Sequence, residues 1–260
     1  MDWSLWEPWY MWIVSALGLS VSEDYEASRV LDALIRDRAT DAGELRKIVE
    51  GKLVLVVGAG PSIESDLGEV FDKVDAVVVA DGASSRVLEL GVTPDIIVTD
   101  LDGDLDDIYE GWRRGSHVVV HAHGDNIPAL RAHIQKFGDR LLGTTQVRPI
   151  GCLYNFGGFT DGDRAVFMCM ELECKAVLMV GMDFSTVVGR HSKPWLRGDV
   201  VAWPFKRSKF VIAKRLLSWA SRLYQRPMAR LTARGADLVD GVEDLKAEEL
   251  EGWIKRVREG

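Results

Sequence analysis

Short and almost uninterrupted apolar runs mark the middle of this chain. They are Leu53 to Val57, Ala76 to Ala80, Ile96 to Val98, Val118 to Val120, and Ala176 to Val180. Strands have this pattern when helices cover both faces of a parallel sheet. We therefore predict an α/β fold with a mostly parallel, Rossmann-like sheet flanked by helices.

The pattern is helical at both ends of the chain. Aromatic and apolar residues recur at nearly helical spacing among Trp3, Trp6, Trp9, Tyr10, Ile13 and Leu17, and a second helical stretch runs from about Tyr25 to Ile48. Beyond Pro204, apolar residues again fall on helical faces. We predict an N-terminal helical segment (1–50) packed on an α/β catalytic core (51–205), followed by a C-terminal helical segment (206–260). Contact within a homodimer is the alternative explanation of the tryptophan stripe.

Composition narrows the range of partners. With 260 residues, 47% of them hydrophobic, the chain can bury a full core and is near the upper size of one domain. Its formal net charge of -8 argues against general nucleic-acid binding, because the surface repels phosphate backbones on average. Basic residues begin the C-terminal segment at Lys206, Arg207, Lys209, Lys214 and Arg215. A solvated helix face is the preferred interpretation, and phosphate contact is the alternative.

Cysteine spacing and the length of the uncharged runs indicate the cellular compartment in which the protein folds. Cys152, Cys169 and Cys174 have neither zinc-site spacing nor the even count of a disulfide framework, which predicts buried thiols in a reducing, cytoplasmic setting. The longest uncharged run, Pro8 to Ser22, is shorter than the roughly 20 residues that a membrane helix needs. We predict neither a signal peptide nor a membrane anchor.

Loops rich in Gly, Asp or His follow the predicted strands, and strand ends of a parallel sheet border the ligand crevice. The first loop contains Gly58, Gly60, Pro61 and Ser62, and the second begins with Asp81 and Gly82. Glycine lets a phosphate approach the backbone, and the next helix offers free N–H groups, so the first loop is a candidate phosphate cradle. A tight strand-to-helix turn needs glycine as well.

The acidic loop after the third predicted strand is a more specific signal. Asp100 and Asp102 alternate along an extended chain, so both carboxylates can converge on one hard cation such as Mg²⁺. Asp125 follows the next strand, beside His121 and His123, and is a candidate for a third ligand or a water acceptor. A solvated acidic turn is the alternative for the first loop, and a zinc site is the alternative for the second.

Two later loops add candidate ligand contacts. The first contains Asn155, Phe159, Asp161 and Asp163, and the second contains Asp183 and then Lys193. Glycine density and a second acidic pair favour a ligand loop in the first case, although Thr160 or Asp161 can also serve as a helix N-cap. The cations that follow Asp183 can contact a phosphate or close over a nucleotide, and a mobile surface loop is the alternative.

Six blocks occur in one order along the chain. They are GAGPSI from Gly58, ADGA from Ala80, PDIIVTDLDGD from Pro94, HAHGDN from His121, GGFTDGDRA from Gly157 and VGMDF from Val180. Together they resemble the archaeal 6-hydroxymethyl-7,8-dihydropterin diphosphokinase family, over Gly58 to about Lys193. That family is distantly similar to thiamine pyrophosphokinases. Gly103 departs from the serine of their acidic motif, and the helical tail departs from their β-sandwich, which argues against thiamine as the substrate.

The resemblance implies transfer of a diphosphoryl unit from ATP to the hydroxymethyl group of a pterin, with release of AMP, in methanopterin or folate-type biosynthesis. On this interpretation the metal and catalytic set is Asp100, Asp102 and Asp125 with Mg²⁺. ATP contacts are assigned to Gly58, Gly60, Pro61, Ser62, Asp81, Gly82 and Lys193, with completion of the acidic cluster as the alternative for Asp81, and pterin contacts to Asn155, Phe159, Asp161, Asp163 and Asp183. No general base is evident, although Asp163 and His123 are candidates.

Three other functions fit parts of the pattern. Asp100-Leu101-Asp102-Gly103 resembles the nucleophile loop of haloacid dehalogenase-type phosphatases, which would form an aspartyl phosphate at Asp100. A non-catalytic nucleotide-binding module would bind ATP without producing AMP. A nicotinamide dehydrogenase would retain NAD, but Ile63 stands where its third glycine is expected.

Overall fold

A parallel sheet forms the centre of the molecule. The computed structural model describes residues 1–68, 70–231 and 236–260, apart from the side chains of residues 65 and 66. Within these ranges the sheet consists of β1 (Leu53–Val57), β2 (Ala76–Ala80), β3 (Ile96–Thr99), β4 (His117–Ala122), β5 (Leu141–Thr145), β6 (Ala176–Val180), β9 (Met228–Leu231) and β10 (Glu243–Leu245). A separate antiparallel pair joins β7 (Val187–Val188) to β8 (Val200–Val201). The main sheet has the order β10-β9-β6-β1-β2-β3-β4-β5, and its pairings are parallel. The predicted fold class is confirmed.

Helices cover both faces of this sheet. In the described residues they are α1 (Trp3–Leu17), α2 (Val21–Ile35), α3 (Ala42–Val49), α4 (Ile63–Asp66), α5 (Ala83–Glu89), α6 (Leu105–Arg114), α7 (Ile127–His133), α8 (Asp161–Glu171), α9 (Pro204–Tyr224) and α10 (Leu250–Glu259). One face packs against α1, α3, α8 and α9. The other packs against α4, α5 and α10 near β1 and β2, and against α2, α6 and α7 near β4. None of the helices in the described residues has both the length and the apolar character that crossing a bilayer requires.

The C-terminal segment contains strands that its sequence pattern did not predict. Helices α9 and α10 are present as expected, but β9 and β10 lie between them and extend the main sheet next to β6. Strand β9 contains the fully buried Arg230, which pairs with Asp244 of β10 and donates a hydrogen bond of 2.9 Å to the carbonyl of Met182. Buried strands are recognised in a sequence by an uninterrupted apolar run, and Arg230 interrupts that run. The sequence does not show the partners that allow this charge to be buried.

The tryptophan stripe of α1 packs against the rest of the same chain. Trp6 is fully buried, and its ring and that of Trp9 lie 6.5 and 5.3 Å from the ring of Trp219 on α9. The Nε1–H of Trp6 also donates a 2.8 Å hydrogen bond to the carbonyl of Gln146, which follows β5. The N-terminal helices are therefore joined to the sheet by both apolar and polar contacts.

The sheet changes direction between β1 and β6. The chain adds β2 to β5 on one side of β1 and then returns to place β6 on the other side, so the connections that follow these two strands lead to opposite sides. The backbones of the two loops are in contact: Gly58 N donates to Val180 O, and Gly60 N donates to Gly181 O, both at 2.8 Å. Gly181 has φ +71, and a Cβ there would lie 2.0 Å from Gly58 O. Open parallel sheets bind ligands at such a switch point.

Candidate functional site

Three carboxylates meet at the strand ends. Asp81 follows β2, Asp100 follows β3, and Asp161 begins α8, and each offers one oxygen within 4.8 Å of the others. Within the described residues this is the group with the composition and spacing of a metal site. All of its ligand atoms are oxygens, the donor type that Mg²⁺ prefers. We call Asp81, Asp100 and Asp161 the acidic group.

The acidic group resists full ionisation without a cation. Burial, together with the charge of Asp100, raises the pKa of Asp81 and of Asp161 well above the ordinary value. Burial also works against ionisation of Asp100, but the hydrogen bond and charge of His123 and the charge of Lys193 outweigh it and lower the pKa of Asp100. The His123 Nε2 atom lies 3.4 Å from Asp100 Oδ2. A bound divalent cation would allow all three carboxylates to ionise, so the residues fit a magnesium ion.

A hydrogen bond from the neighbouring strand β3 holds the Asp81 carboxylate in place. Thr99 Oγ1 donates a 2.6 Å hydrogen bond to Asp81 Oδ1, and Asp81 itself has φ 42. A Cβ on Gly103 would lie 2.5 Å from Asp81 Oδ2. The glycine that follows Asp102 therefore leaves the space that the Asp81 carboxylate occupies. In the sequence alone, Gly103 stands out only as a departure from a related motif.

The other two predicted metal ligands, Asp102 and Asp125, lie outside the acidic group. Asp102 forms an ion pair with Lys193, and its side chain is 47% exposed. Asp125 is exposed on the loop after β4. A metal role for Asp102 and Asp125 stays a prediction, whereas the structure gathers Asp81 and Asp161, which the resemblance assigns to ATP and pterin, around Asp100.

A cavity of about 110 Å³ lies on one side of the acidic group. It is lined by residues of the β1, β2 and β6 loops and of the segment that contains β7, among them Gly58, Gly60, Asp81, Gly82, Asp183 and Lys193. We call it the glycine-loop cavity. Pro61 and Ser62 lie behind this lining, and Ser62 N donates a 3.0 Å hydrogen bond to Asp183 Oδ2. A Cβ on Gly60 would lie 2.4 Å from the same oxygen, so the two loops pack without room for a side chain there.

A larger cavity, of about 350 Å³, lies on the other side. Its lining combines polar groups with aromatic rings: Glu23, Asp24, Asp100, His121, His123, Asp125, Gln146, Phe159, Trp203, Phe205 and Lys209. We call it the aromatic cavity. Aromatic walls with a few fixed polar groups are typical of sites for flat ring compounds.

The N-terminal helices form one wall of the aromatic cavity, a role that sequence reasoning missed. Asp24 of α2 is buried and accepts hydrogen bonds from Tyr10 Oη at 2.7 Å, Gln146 Nε2 at 2.8 Å and Gly124 N at 2.8 Å. Its carboxylate thus joins α1, the β4 loop and the β5 loop. In the sequence Asp24 is one acidic residue on an amphipathic helix, with no signal that distinguishes it.

The hydrogen-bond network assigns a neutral tautomer to His121 in the same cavity. Thr144 Oγ1 donates to Val120 O at 3.2 Å, so it accepts the proton of His121 Nδ1, which lies 3.1 Å away. Burial, followed by the charge of Arg164, lowers the pKa of His121 well below its ordinary value. The ring therefore carries its proton on Nδ1 and leaves Nε2 as an acceptor.

The segment that leads into α8 carries four predicted ligand residues, of which two line a cavity and two do not. Phe159 and Asp161 line the aromatic cavity, whereas neither Asn155 nor Asp163 lines either cavity. Asn155 Nδ2 donates to Val147 O at 3.0 Å, and its Oδ1 accepts from Gly157 N at 2.8 Å. Asp163 accepts from Phe159 N and Thr160 N at 2.6 and 2.9 Å, and it forms a capping box with the N-cap Thr160. Both side chains stabilise the loop that presents Phe159 and Asp161.

The two cavities meet at the acidic group. Asp81 lines the glycine-loop cavity, Asp100 lines the aromatic cavity, and Asp161 lines both. The other residues shared by the two linings are Asp102, Thr160, Lys193 and Lys206. The arrangement can therefore hold two different ligands on either side of one cation.

Comparison with known proteins gives a consistent result over most of the chain. The family model described as 6-hydroxymethylpterin diphosphokinase MptE-like matches residues 32–189. A curated protein of Pyrococcus furiosus, named 6-hydroxymethyl-7,8-dihydropterin pyrophosphokinase, is 44% identical over 84% of this chain and 94% of its own length. Proteins of the same name from Methanothermobacter thermautotrophicus and Methanocaldococcus jannaschii are 44% and 36% identical, over 85% and 84% of this chain and 96% and 95% of their own lengths.

A solved structure shares the fold at low sequence identity. The MAf glycosyltransferase from Magnetospirillum magneticum AMB-1 aligns with a TM-score of 0.51 and 14% identity, over 94% of this chain and 42% of that chain. The chain therefore spans less than half of that protein. At this identity the likeness concerns the fold alone.

Proposed function

The chain belongs to the MptE-like family of 6-hydroxymethylpterin diphosphokinases, and on that premise we propose that it is a 6-hydroxymethyl-7,8-dihydropterin pyrophosphokinase. The pterin hydroxymethyl oxygen attacks the β-phosphorus of ATP and forms a new O–P bond. The bond between the β-phosphorus and the oxygen that bridges it to the α-phosphorus breaks, and AMP leaves with that oxygen. The hydroxyl proton passes to solvent, and the products are AMP and the pterin diphosphate.

The observation that carries this proposal is the position of the acidic group between two cavities of different character. A diphosphokinase must bring a nucleotide and an acceptor alcohol to one phosphorus atom. The glycine-loop cavity offers backbone and Lys193 to phosphates, and the aromatic cavity offers Phe159, Trp203 and Phe205 to a flat ring. Holding both ligands in line converts a bimolecular step into an effectively unimolecular one.

We assign the phosphate end of ATP to the glycine-loop cavity. Gly58, Gly60 and Gly82 permit close approach to the backbone, and Lys193 supplies positive charge. Pro61 and Ser62 contribute indirectly, because the hydrogen bond from Ser62 N to Asp183 Oδ2 fixes the β1 loop, to which both belong, against the β6 loop.

We assign the pterin to the aromatic cavity. Phe159 can stack on the ring, and Asp161, which lines both cavities, would adjoin the hydroxymethyl group in this arrangement. Asn155 and Asp163 serve this site indirectly, since they hold the loop that carries Phe159. Asp183 belongs with the glycine-loop cavity rather than with the pterin.

Magnesium would be held by Asp81, Asp100 and Asp161, with Asp102 and Asp125 as additional predicted contacts. When bound, it supplies positive charge that offsets the charge of the phosphates and that which develops in the transition state. Lys193 holds Asp102 in place by an ion pair, and the His123 imidazole contacts Asp100 with 3.4 Å between Nε2 and Oδ2. A loose phosphoryl-transfer transition state needs little early deprotonation, so the proposal requires no general base.

The test is a product assay with purified protein, ATP, MgCl₂ and 6-hydroxymethyl-7,8-dihydropterin, in which AMP, ADP, phosphate and pterin diphosphate are separated by chromatography. We expect AMP and pterin diphosphate in equal amounts, and only when pterin is present. ADP, phosphate or an acid-labile phosphate on Asp100 would instead indicate a kinase or a phosphatase. ATP binding without turnover would indicate a binding module.

Two matched substitutions distinguish the acidic group from the metal set predicted by the sequence, which is Asp100, Asp102 and Asp125. Asp161→Asn and Asp125→Asn make the same chemical change, the first inside the acidic group and the second on the exposed rim of the aromatic cavity. We expect Asp161→Asn to lower kcat by on the order of 100-fold or more, the scale of losing one electrostatic contact to the transition state. Asp125→Asn should act more weakly, and the reverse order would favour the set of Asp100, Asp102 and Asp125.

A further inference from the structure

Lys206 lies where the two cavities meet. It is in the first turn of α9, and its side chain lines both the glycine-loop cavity and the aromatic cavity. The sequence pattern favoured a solvated helix face for the basic residues of this helix. The structure instead places Lys206 in the lining of both cavities, because α9 begins beside them.

The charge of Lys206 has no acidic partner in the described part of the chain. Lys193 is paired with Asp102, and Lys214, farther along α9, is paired with Asp237. The Lys206 ammonium instead donates a 3.2 Å hydrogen bond to Ser192 Oγ and lies 5.5 Å from the centre of the Phe210 ring. A neutral hydroxyl and a ring leave most of its charge available to a bound anion.

The surroundings of Lys206 favour an anionic ligand. Burial, followed by the charges of Lys193 and Lys209, lowers the pKa of Lys206 to about 8. Asp102 and Asp161 act in the opposite direction. Three lysines held close together are stabilised when a polyanion enters between them, and a diphosphate has the charge to offset their repulsion.

We propose that Lys206 binds the diphosphoryl group while it moves from the nucleotide to the acceptor. This inference rests on the proposed function, and it assigns Lys206 a phosphate contact in addition to that of Lys193, whose charge is shared with Asp102. The group in transfer must cross the boundary between the cavities, and Lys206 is the cation on that boundary without an ion pair among the described residues. The ammonium would then contact β- or γ-phosphate oxygens and not the α-phosphate that leaves with AMP.

The test compares three variants of α9 with the wild type. Lys206→Gln removes the charge, Lys206→Arg retains it, and Lys214→Gln makes the same change at a lysine that lines neither cavity. Affinity is measured by titration calorimetry with Mg²⁺ and α,β-methylene-ATP, which cannot transfer its diphosphoryl group, and separately with AMP. Initial rates of AMP formation give kcat and KM for each substrate.

We expect Lys206→Gln to weaken binding of the methylene analogue and to lower kcat/KM for ATP by roughly 10- to 100-fold each, the scale of a charge-assisted hydrogen bond. AMP affinity should stay within about twofold, because AMP lacks the phosphates that Lys206 contacts. Lys206→Arg should recover most of the loss, and Lys214→Gln should behave as the wild type. Equal losses for AMP and the analogue, or no difference between Lys206→Gln and Lys214→Gln, would overturn the proposal.

A second measurement uses the wild-type protein and does not depend on the folding of a variant. Amine-reactive labelling followed by peptide mass spectrometry should show Lys206 protected by Mg²⁺ and the methylene analogue but not by AMP, with Lys214 unchanged throughout. Equal labelling of Lys206 in all samples would contradict the contact. If the analogue protects Lys206 but no AMP forms with pterin, the proposed function fails and the phosphate contact stands.

Discussion

Asp161 illustrates how a single residue connects stability to ligand binding in this protein. Burial, together with the charges of Asp100 and Asp102, raises the pKa of its carboxyl. In the metal-free protein the folded chain therefore holds a proton that the unfolded chain releases near pH 4. The contribution of Asp161 to the free energy of unfolding thus falls as the pH rises above that value.

We predict that Asp161→Asn stabilises the metal-free protein at pH 7, and that the difference shrinks as the pH falls towards about 4, below which the Asp161 carboxyl is protonated in both the folded and the unfolded chain. With excess Mg²⁺ the order should reverse, since a ligand at 100 times its Kd stabilises the wild type by about 2.7 kcal/mol. Urea unfolding at pH 4.5 and pH 7, with EDTA or with MgCl₂, measures both effects.

The control for this prediction is Asp240→Asn, at a side chain that is 84% exposed. Its effect should stay within about 0.5 kcal/mol under all four conditions. A wild type that is more stable than Asp161→Asn at pH 7 in EDTA would show that the acidic group is not under repulsive strain.

Among the elements, the predicted strands differ in how well the sequence marks them. The apolar runs match β1, β2 and β6 to the residue, because these strands are buried on both faces and carry only apolar side chains. The edge strand β5 was not predicted, since it contains Gly143, Thr144 and Thr145. Strand β9 was not predicted because Arg230 interrupts its apolar run. Sequence pattern therefore locates the centre of this sheet better than its edges.

The contact between the β1 and β6 loops gives a prediction at the scale of these elements. Gly181→Ala should destabilise the protein by about 1–2 kcal/mol for the left-handed backbone alone, and by more because its Cβ would lie 2.0 Å from Gly58 O. Forcing these loops apart should also reduce AMP formation, because both line the glycine-loop cavity.

Gly91→Ala is the matched control, since Gly91 has φ +77 but no atom lies within 4 Å of the position that its Cβ would take. It should show the backbone cost of about 1–2 kcal/mol and no loss of turnover. Urea unfolding and the AMP assay on both variants make the comparison. Similar turnover in the two variants would show that the loop contact is unimportant for catalysis.

For the molecule as a whole, the site depends on residues that are far apart in sequence. The strand-end rule predicted that Asp81, Asp100 and Asp183 would approach one crevice, and the structure shows them lining adjoining cavities. It could not predict that the N-terminal helices would wall the aromatic cavity, because that depends on how α1 and α2 dock. The buried Trp6 is part of this docking.

We predict that Trp6→Ala lowers the free energy of unfolding by about 3–5 kcal/mol, the usual cost of removing a large buried aromatic side chain. It should also raise KM for the pterin more than KM for ATP, because Trp6 supports Gln146 on the wall of the aromatic cavity. Thermal unfolding and steady-state kinetics measure the two effects. Trp195→Ala, at a ring that is 64% exposed, should cost less than about 1 kcal/mol.

The shared boundary between the two cavities has a consequence for how this enzyme can diversify. On the proposed assignment, the donor side is encoded by the strand-end loops from Gly58 to Gly82, by the segment after β6 and by Lys206 and Phe210 of α9, whereas much of the acceptor side is encoded by α2, Trp203 and Phe205. Substitutions in α2 and at Trp203 or Phe205 would then reshape the acceptor pocket while the phosphate contacts stay intact. A new alcohol could then be accommodated without rebuilding the transfer chemistry, which makes α2, Trp203 and Phe205 the natural targets for directed evolution of acceptor choice.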